Sequence, residues 1–401
     1  MAGNLAKVAK KHASSSRGLT RVFWMLVCAV TAIYPAFQFE PVRQIGGKVV
    51  AAVVRKLQGN NPPSATASAD SGAVQVYFTQ PGRSASESCE IVSAVVRHID
   101  ATKTTLDVCA FELDNRVICD ALVRAAKRGV RVRLATETNY LEESGVNMLK
   151  AVGVPVVDDA RPGALMHNKF MVFDNQAVWT GSMNFTENCA YRNNNNGLYI
   201  ANPDLAANYA TKFNWMFEQH KFGGLPSRSA RIPNPTVTLA DNTLVENYFA
   251  PHDHCANHVI DAISKARKSI RFLAFSFTHN GIGNAMLQQA KSGVEVKGVF
   301  ERTQASSRTE YRSSHARAAG EAVSVYLDAN PRNMHHKVIV IDEATTVVGS
   351  FNFSENADKS NDENLLIIHN PAVAKRFEEE FRRVYDEAEH AEGAPNAYEL
   401  R

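Results

Sequence analysis

Met166-His167-Asn168-Lys169-Phe170-Met171-Val172-Phe173-Asp174 is echoed 168 residues later by Met334-His335-His336-Lys337-Val338-Ile339-Val340-Ile341-Asp342. The same offset relates Gly181-Ser182-Met183-Asn184-Phe185 to Gly349-Ser350-Phe351-Asn352-Phe353. It also relates Glu187-Asn188 to Glu355-Asn356, Asn202-Pro203 to Asn370-Pro371, and Phe213 to Phe381. Upstream the offset is 164: Ala110-Phe111 pairs with Ala274-Phe275, Ala126-Lys127 with Ala290-Lys291, and Gly129-Val130 with Gly293-Val294. Tyr77-Phe78 matches Tyr248-Phe249. A register held over so long a span marks an internal duplication.

Each copy reads in one order. A strand (Val74–Phe78; Leu244–Phe249) precedes an amphipathic helix (Ile91–Ile99; Val259–Ala266) and an apolar strand (Thr105–Phe111; Ser269–Phe275). A helix stopped by Gly129 or Gly293 comes next, then a β-branched strand (Val130–Ala135; Val294–Phe300). Two short strands surround the His-x-Lys motif, and a final helix carries Phe213/Phe217 or Phe381/Tyr385 on one face. Such alternation predicts an α/β fold, each copy a mixed β-sheet flanked by helices as an α/β/α sandwich. The copies span 73–224 and 241–390, with a proline-rich connection at 225–240 and a tail at 391–401. The acidic run Glu378–Glu380 reads as the exposed face of the last helix.

On a strand, residues i and i+2 share a face, so His167 projects with Lys169 and His335 with Lys337. Asp174 and Asp342 fall at the far end of the strand or in the turn after it. At each Gly-Ser the hydroxyl, a backbone N–H and the Asn184 or Asn352 amide are placed to converge on an oxyanion. Two imidazoles, two cations, two hydroxyls and two amides suit one tetrahedral phosphodiester. Histidine supplies a nucleophile or a proton near neutral pH, and lysine neutralises developing charge. A lone His-x-Lys is ordinary on a solvated strand. Its duplication in register, each copy with Gly-Ser-x-Asn-Phe downstream, is not.

The doubled pattern resembles the phospholipase D superfamily, whose HxK(x4)D(x6)G[S/T]xN motif stands here twice without departure, within a resemblance of about 320 residues. The resemblance implies a pseudo-twofold pair of copies with one active site at their interface. It implies a phosphohistidine intermediate on one histidine, with the other protonating the leaving alcohol, and no metal or other cofactor. His167, Lys169, Asp174, His335, Lys337 and Asp342 become candidate catalytic residues, and Ser182, Asn184, Ser350 and Asn352 candidate substrate-binding residues. Glu363 matches a carboxylate that family members use to orient a histidine, and Asn195 is its first-copy equivalent. A carboxylate beside an imidazole raises its pKa, so the expectation is a protonated acid at His335, served by Glu363, and a neutral nucleophile at His167. Since one chain carries both halves, a monomer suffices. His252, His254, Cys255 and His258 suggest a zinc set, but no partner ligands accompany them and surface polar residues is the favoured reading.

Charge bears on the substrate. The net +3 of the 401 residues divides unevenly: residues 1–58 carry nine Lys/Arg against Glu40 alone, leaving 35 basic and 40 acidic residues beyond them. Val22–Phe39 is an uncharged, mostly apolar run of 18 residues at the short end for a membrane span. It reads as an uncleaved anchor with the body outside the cytoplasm, with a cleaved signal peptide (and hence secretion) or an interfacial segment as alternatives. Residues 59–72 read as a linker. Five body cysteines without CxxC spacing exclude a disulfide scaffold. Three functions stay open: a phospholipase D at a phospholipid membrane, a DNA or RNA endonuclease with the same chemistry, and a silent binding protein. A body of net −5 lacks the basic field that nucleic-acid binding draws on, which favours lipid. Arg302–Arg317 reads either as a basic lip over the site or as a solvated loop.

Overall fold

The computed structural model of the chain describes residues 73–82, 89–306 and 323–391. The leader, the linker, most of the arginine-rich stretch and the tail beyond 391 fall outside these residues. Among the described residues, no helix is long and apolar enough to cross a membrane.

In the first copy β1 (Val74–Phe78) leads to α1 (Glu90–Ala101), β2 (Thr105–Ala110), α2 (Arg116–Lys127), β3 (Arg131–Thr136), α3 (Ser144–Ala151) and β4 (Val156–Asp158). Then come β5 (Lys169–Phe173), β6 (Ala177–Gly181), α4 (Glu187–Tyr191), β7 (Asn196–Ile200) and α5 (Pro203–Phe217). The second copy adds β8 (Thr236–Thr238) and repeats the plan. It runs through β9 (Leu244–Ala250), α6 (Cys255–Ser264), β10 (Ser269–Ala274), α7 (Asn280–Lys291), β11 (Glu295–Phe300), α8 (Arg302–Ser306) and β12 (Val323–Leu327). It closes with β13 (Lys337–Ile341), β14 (Thr345–Gly349), α9 (Glu355–Lys359), β15 (Glu363–His369) and α10 (Pro371–His390).

One sheet has the order β1-β7-β6-β5-β2-β3-β4; the other runs β9-β15-β14-β13-β10-β11-β12, the same order strand for strand, with β8 outside β9. Parallel pairing of β2 with β3 and antiparallel pairing of β2 with β5 make the sheet mixed, as expected. The duplicated residues now have causes. Asn202 and Asn370 cap α5 and α10, and Pro203 and Pro371 occupy first-turn positions where a missing N–H costs nothing. Thr186 and Ser354 cap α4 and α9. Two differences from expectation exceed a shift of one or two residues. The helix expected at Val259 begins four residues earlier, at Cys255, and β8 falls inside the stretch expected to be a plain connection.

Strand β5 is buried on both faces, as the uninterrupted apolar run requires. Met171 and Phe173 face α1 and α2 in one core; Phe170 and Val172 face a second core shared by the two copies. That shared core draws Tyr209 and Phe213 of α5, Phe377 of α10, Phe249 of β9 and Val338 of β13. Helix α10 packs one face on this core, and the reading of Glu378–Glu380 as an exposed face is corrected in part: Glu378 and Glu380 are buried, and Glu379 is exposed.

Candidate active site

The segment entering each His-x-Lys strand pairs with the other copy. The backbone N–H of His167 donates to the Asp362 carbonyl at 3.0 Å, and that of His335 to the Asn194 carbonyl at 2.9 Å. One residue further along these partners stand Glu363 and Asn195. Each consequently meets the histidine of the opposite copy: His167 Nδ1 lies 2.8 Å from Glu363 Oε2, and His335 Nδ1 lies 2.9 Å from Asn195 Oδ1. The expectation that Glu363 serves His335 is thus corrected. The crossing follows from the pairing of these two segments.

The serines sit behind these groups. Ser350 Oγ donates to Glu363 Oε2 at 2.6 Å and accepts from the Asn364 N–H; Ser182 Oγ donates to Asn195 Oδ1 at 3.0 Å and accepts from the Asn196 N–H. Both serines are fully buried, so the expectation that their hydroxyls face an oxyanion is corrected as well. Gly181 and Gly349, at φ +148° and +154°, let the strand approach this region. A Cβ there would stand 2.5 Å from the Asn196 carbonyl or 2.3 Å from the Asn364 carbonyl.

Lys169 Nζ donates to the His167 carbonyl and Lys337 Nζ to the His335 carbonyl, at 2.6 and 2.8 Å. Each ammonium also lies 4.6 Å from a ring centroid, of Phe111 and of Phe275. These rings meet His167 and His335 edge-on. Their functional placement was missed from sequence, although the repeated Ala-Phe carried the signal. Asn184 and Asn352 each keep a buried side-chain oxygen without a partner among the described residues. Asp174 and Asp342 do not join the site. Each lies beyond the far end of its five-residue strand, about 17 Å from the lysine end. Asp174 accepts from the N–H groups of Lys103, Thr104 and Thr105, and Asp342 from those of Arg267, Lys268 and Ser269. They pin turns.

Burial is the first cause of every shift in the centre. It pushes both catalytic-candidate histidines well below their ordinary range, and the Lys169 and Lys337 charges add to this. Burial lowers Lys169 to about 8 and raises Glu363 to about 8. The Glu363 pKa is thus higher folded than unfolded, so its burial costs no stability below about pH 4.5 and progressively more as pH rises towards 8. Glu363→Gln is therefore expected to raise the melting temperature over wild type by a margin that widens between pH 5 and pH 8. Thermal unfolding across that range checks it; a margin independent of pH contradicts the buried-charge account.

A further buried histidine, His336, accepts from Asn196 Nδ2 at Nδ1, leaving Nε2 to donate to Glu380 at 3.0 Å. Burial works against the Glu380 charge, yet His336 and Arg383 hold its carboxyl below the ordinary range. The zinc set does not assemble: His252 stands edge-on to Trp215, His258 stacks on Tyr248, and the described residues contain no cluster suited to a metal.

A family model described as "Cardiolipin synthase, PLD-like domain" matches residues 95–217 and 259–385, one match per copy. The chain belongs to the phospholipase D-like family. It is a phosphodiesterase of that superfamily. A phospholipase D of Rickettsia conorii is 28% identical over 181 residues, which is 45% of this chain and 84% of the relative. A mitochondrial cardiolipin hydrolase of Chlamydomonas reinhardtii is 25% identical over 178 residues, 40% of this chain and 79% of that one. The phosphatidylserine synthase of Haemophilus influenzae shares the fold, with a TM-score of 0.58 at 14% identity over 77% of this chain and 86% of that structure.

Proposed function

We propose that this phosphodiesterase is a phospholipase D that hydrolyses a glycerophospholipid to phosphatidic acid and a free head group, with His167 as nucleophile and His335 as acid. The carrying observation is the unequal backing of the two imidazoles. With Nδ1–H held by Glu363, His167 presents the lone pair of its Nε2. Attack forms a P–N bond, and the positive charge arising on His167 lies beside the Glu363 carboxylate. His335 has only a neutral amide behind it. Protonated against an incoming phosphate, it is a strong acid, because burial and both lysines disfavour its charge. It gives its Nε2 proton to the leaving alkoxide, then takes one from water. The water oxygen displaces His167, and the P–N bond breaks.

Lys169 and Lys337 supply the fixed positive charge for the phosphoryl oxygens, so the reading requires no metal. The acidic body, the basic apolar leader and relatives named phospholipase D and cardiolipin hydrolase support a lipid substrate and a membrane location. The test sets the purified protein and its His167→Ala variant on vesicles of cardiolipin, phosphatidylglycerol or phosphatidylcholine, and on single- and double-stranded DNA and RNA. Phosphatidic acid released by wild type alone is expected. Nucleic-acid cleavage without lipid turnover would replace phospholipase by nuclease.

A further inference from the structure

The two halves of the centre differ at the residue following the ring beside each lysine: Phe111-Glu112 in the first copy stands against Phe275-Ser276 in the second. Glu112 is half-buried, and its carboxylate accepts a hydrogen bond from Asn184 Nδ2. Its charge bears on Lys169 and on the Tyr140 hydroxyl. Tyr140 in turn meets Phe111 edge-on at 4.9 Å. In the second copy the equivalent position is Ser276, the Asn352 side-chain amide makes no hydrogen bond among the described residues, and the carboxylate of that copy that bears on Lys337 is the buried Glu301 instead. One of the four donors that symmetry would offer an anion is thus engaged by a negative charge.

We infer that Glu112 is a charge-selecting residue, which fits the centre to the single negative charge of a phosphodiester and weakens its hold on the doubly charged phosphomonoester that hydrolysis leaves. The inference rests on the phosphodiester reading above. Two ammonium groups facing an anion would by themselves favour the dianion, and so retain the product. A fixed carboxylate hydrogen-bonded to Asn184 penalises the second charge while costing the diester less. A unit charge several ångströms away at a partly exposed site alters such a preference by about tenfold. Glu112→Gln keeps the acceptor for Asn184 and removes the charge; Glu112→Ser copies the second half.

The experiment uses the full chain with bis(4-nitrophenyl) phosphate as diester and 4-nitrophenyl phosphate as monoester inhibitor, which passes to the dianion at about pH 6 or below. Above that pH, both variants are expected to lower the ratio of monoester Ki to diester KM about tenfold relative to wild type. Below pH 5, where the monoester is a monoanion, the ratios should converge. Unchanged ratios at high pH overturn the inference alone, because turnover still reports a working diester site. Wild-type protein that neither turns over the diester nor is inhibited by the monoester would remove the diester reading and the inference with it.

Discussion

Given bis(4-nitrophenyl) phosphate, the His335→Ala variant is expected to release one equivalent of nitrophenolate per protein and then stall, with the phosphoryl group held on His167. Nitrophenolate is stable enough to leave without a proton, so the first step does not need the acid that this variant lacks. The second step needs a base to activate water, and His335 is the group placed for it. His167→Ala removes the atom that forms the P–N bond. Its turnover is expected to fall by about 10⁴-fold or more, some 5.5 kcal/mol of transition-state stabilisation, with no burst. Rapid-quench kinetics and mass spectrometry of the trapped protein check both outcomes. A burst from His167→Ala, or phosphate on His335, would reverse the two roles.

The duplication was legible because it is written in residues with local physical duties. Asn-Pro starts a helix, glycine stops one, and strands buried on both faces must be apolar throughout; these demands recur wherever the same elements recur. The chemistry of His167, Lys169, His335 and Lys337 was legible for a similar reason, since i, i+2 on a strand is a local relation. Relations between copies were not. Spacing places Glu363 downstream of His335, but only the pairing of Met166 with Asp362 and of Asn194 with Met334 carries it to His167. The serines were misplaced because a hydroxyl beside a site offers the same sequence signal whether it faces ligand or backs a histidine. Glu380 was misread through a related gap: helical periodicity finds the apolar stripe of α10, whereas the buried His336 it meets lies across the fold.

The pairing that crosses the copies is fastened by charge, and Asp362→Ala is expected to reveal how strongly. Asp362 Oδ1 accepts from Lys212 Nζ at 2.6 Å; Oδ2 accepts from Arg161 Nη2 at 2.6 Å and from the Gly223 N–H at 2.8 Å. Lys212 and Asp362 are both fully buried. Removing the carboxylate strands an ammonium in the interior, so the variant is expected to lose about 3–5 kcal/mol of unfolding free energy. Lys212→Met should cost less, because Arg161 and Gly223 still neutralise Asp362. Adding Lys212→Met to Asp362→Ala should recover much of the loss, since no buried charge is then left alone. Urea unfolding of the four proteins closes the cycle, and strict additivity would show that the ions do not act together. The Asp362 carbonyl also receives the His167 N–H. Loss of the triad therefore loosens the strand entry that presents the nucleophile, and the double variant, with its stability restored, should still show reduced turnover. Full turnover there would confine the triad to stability alone.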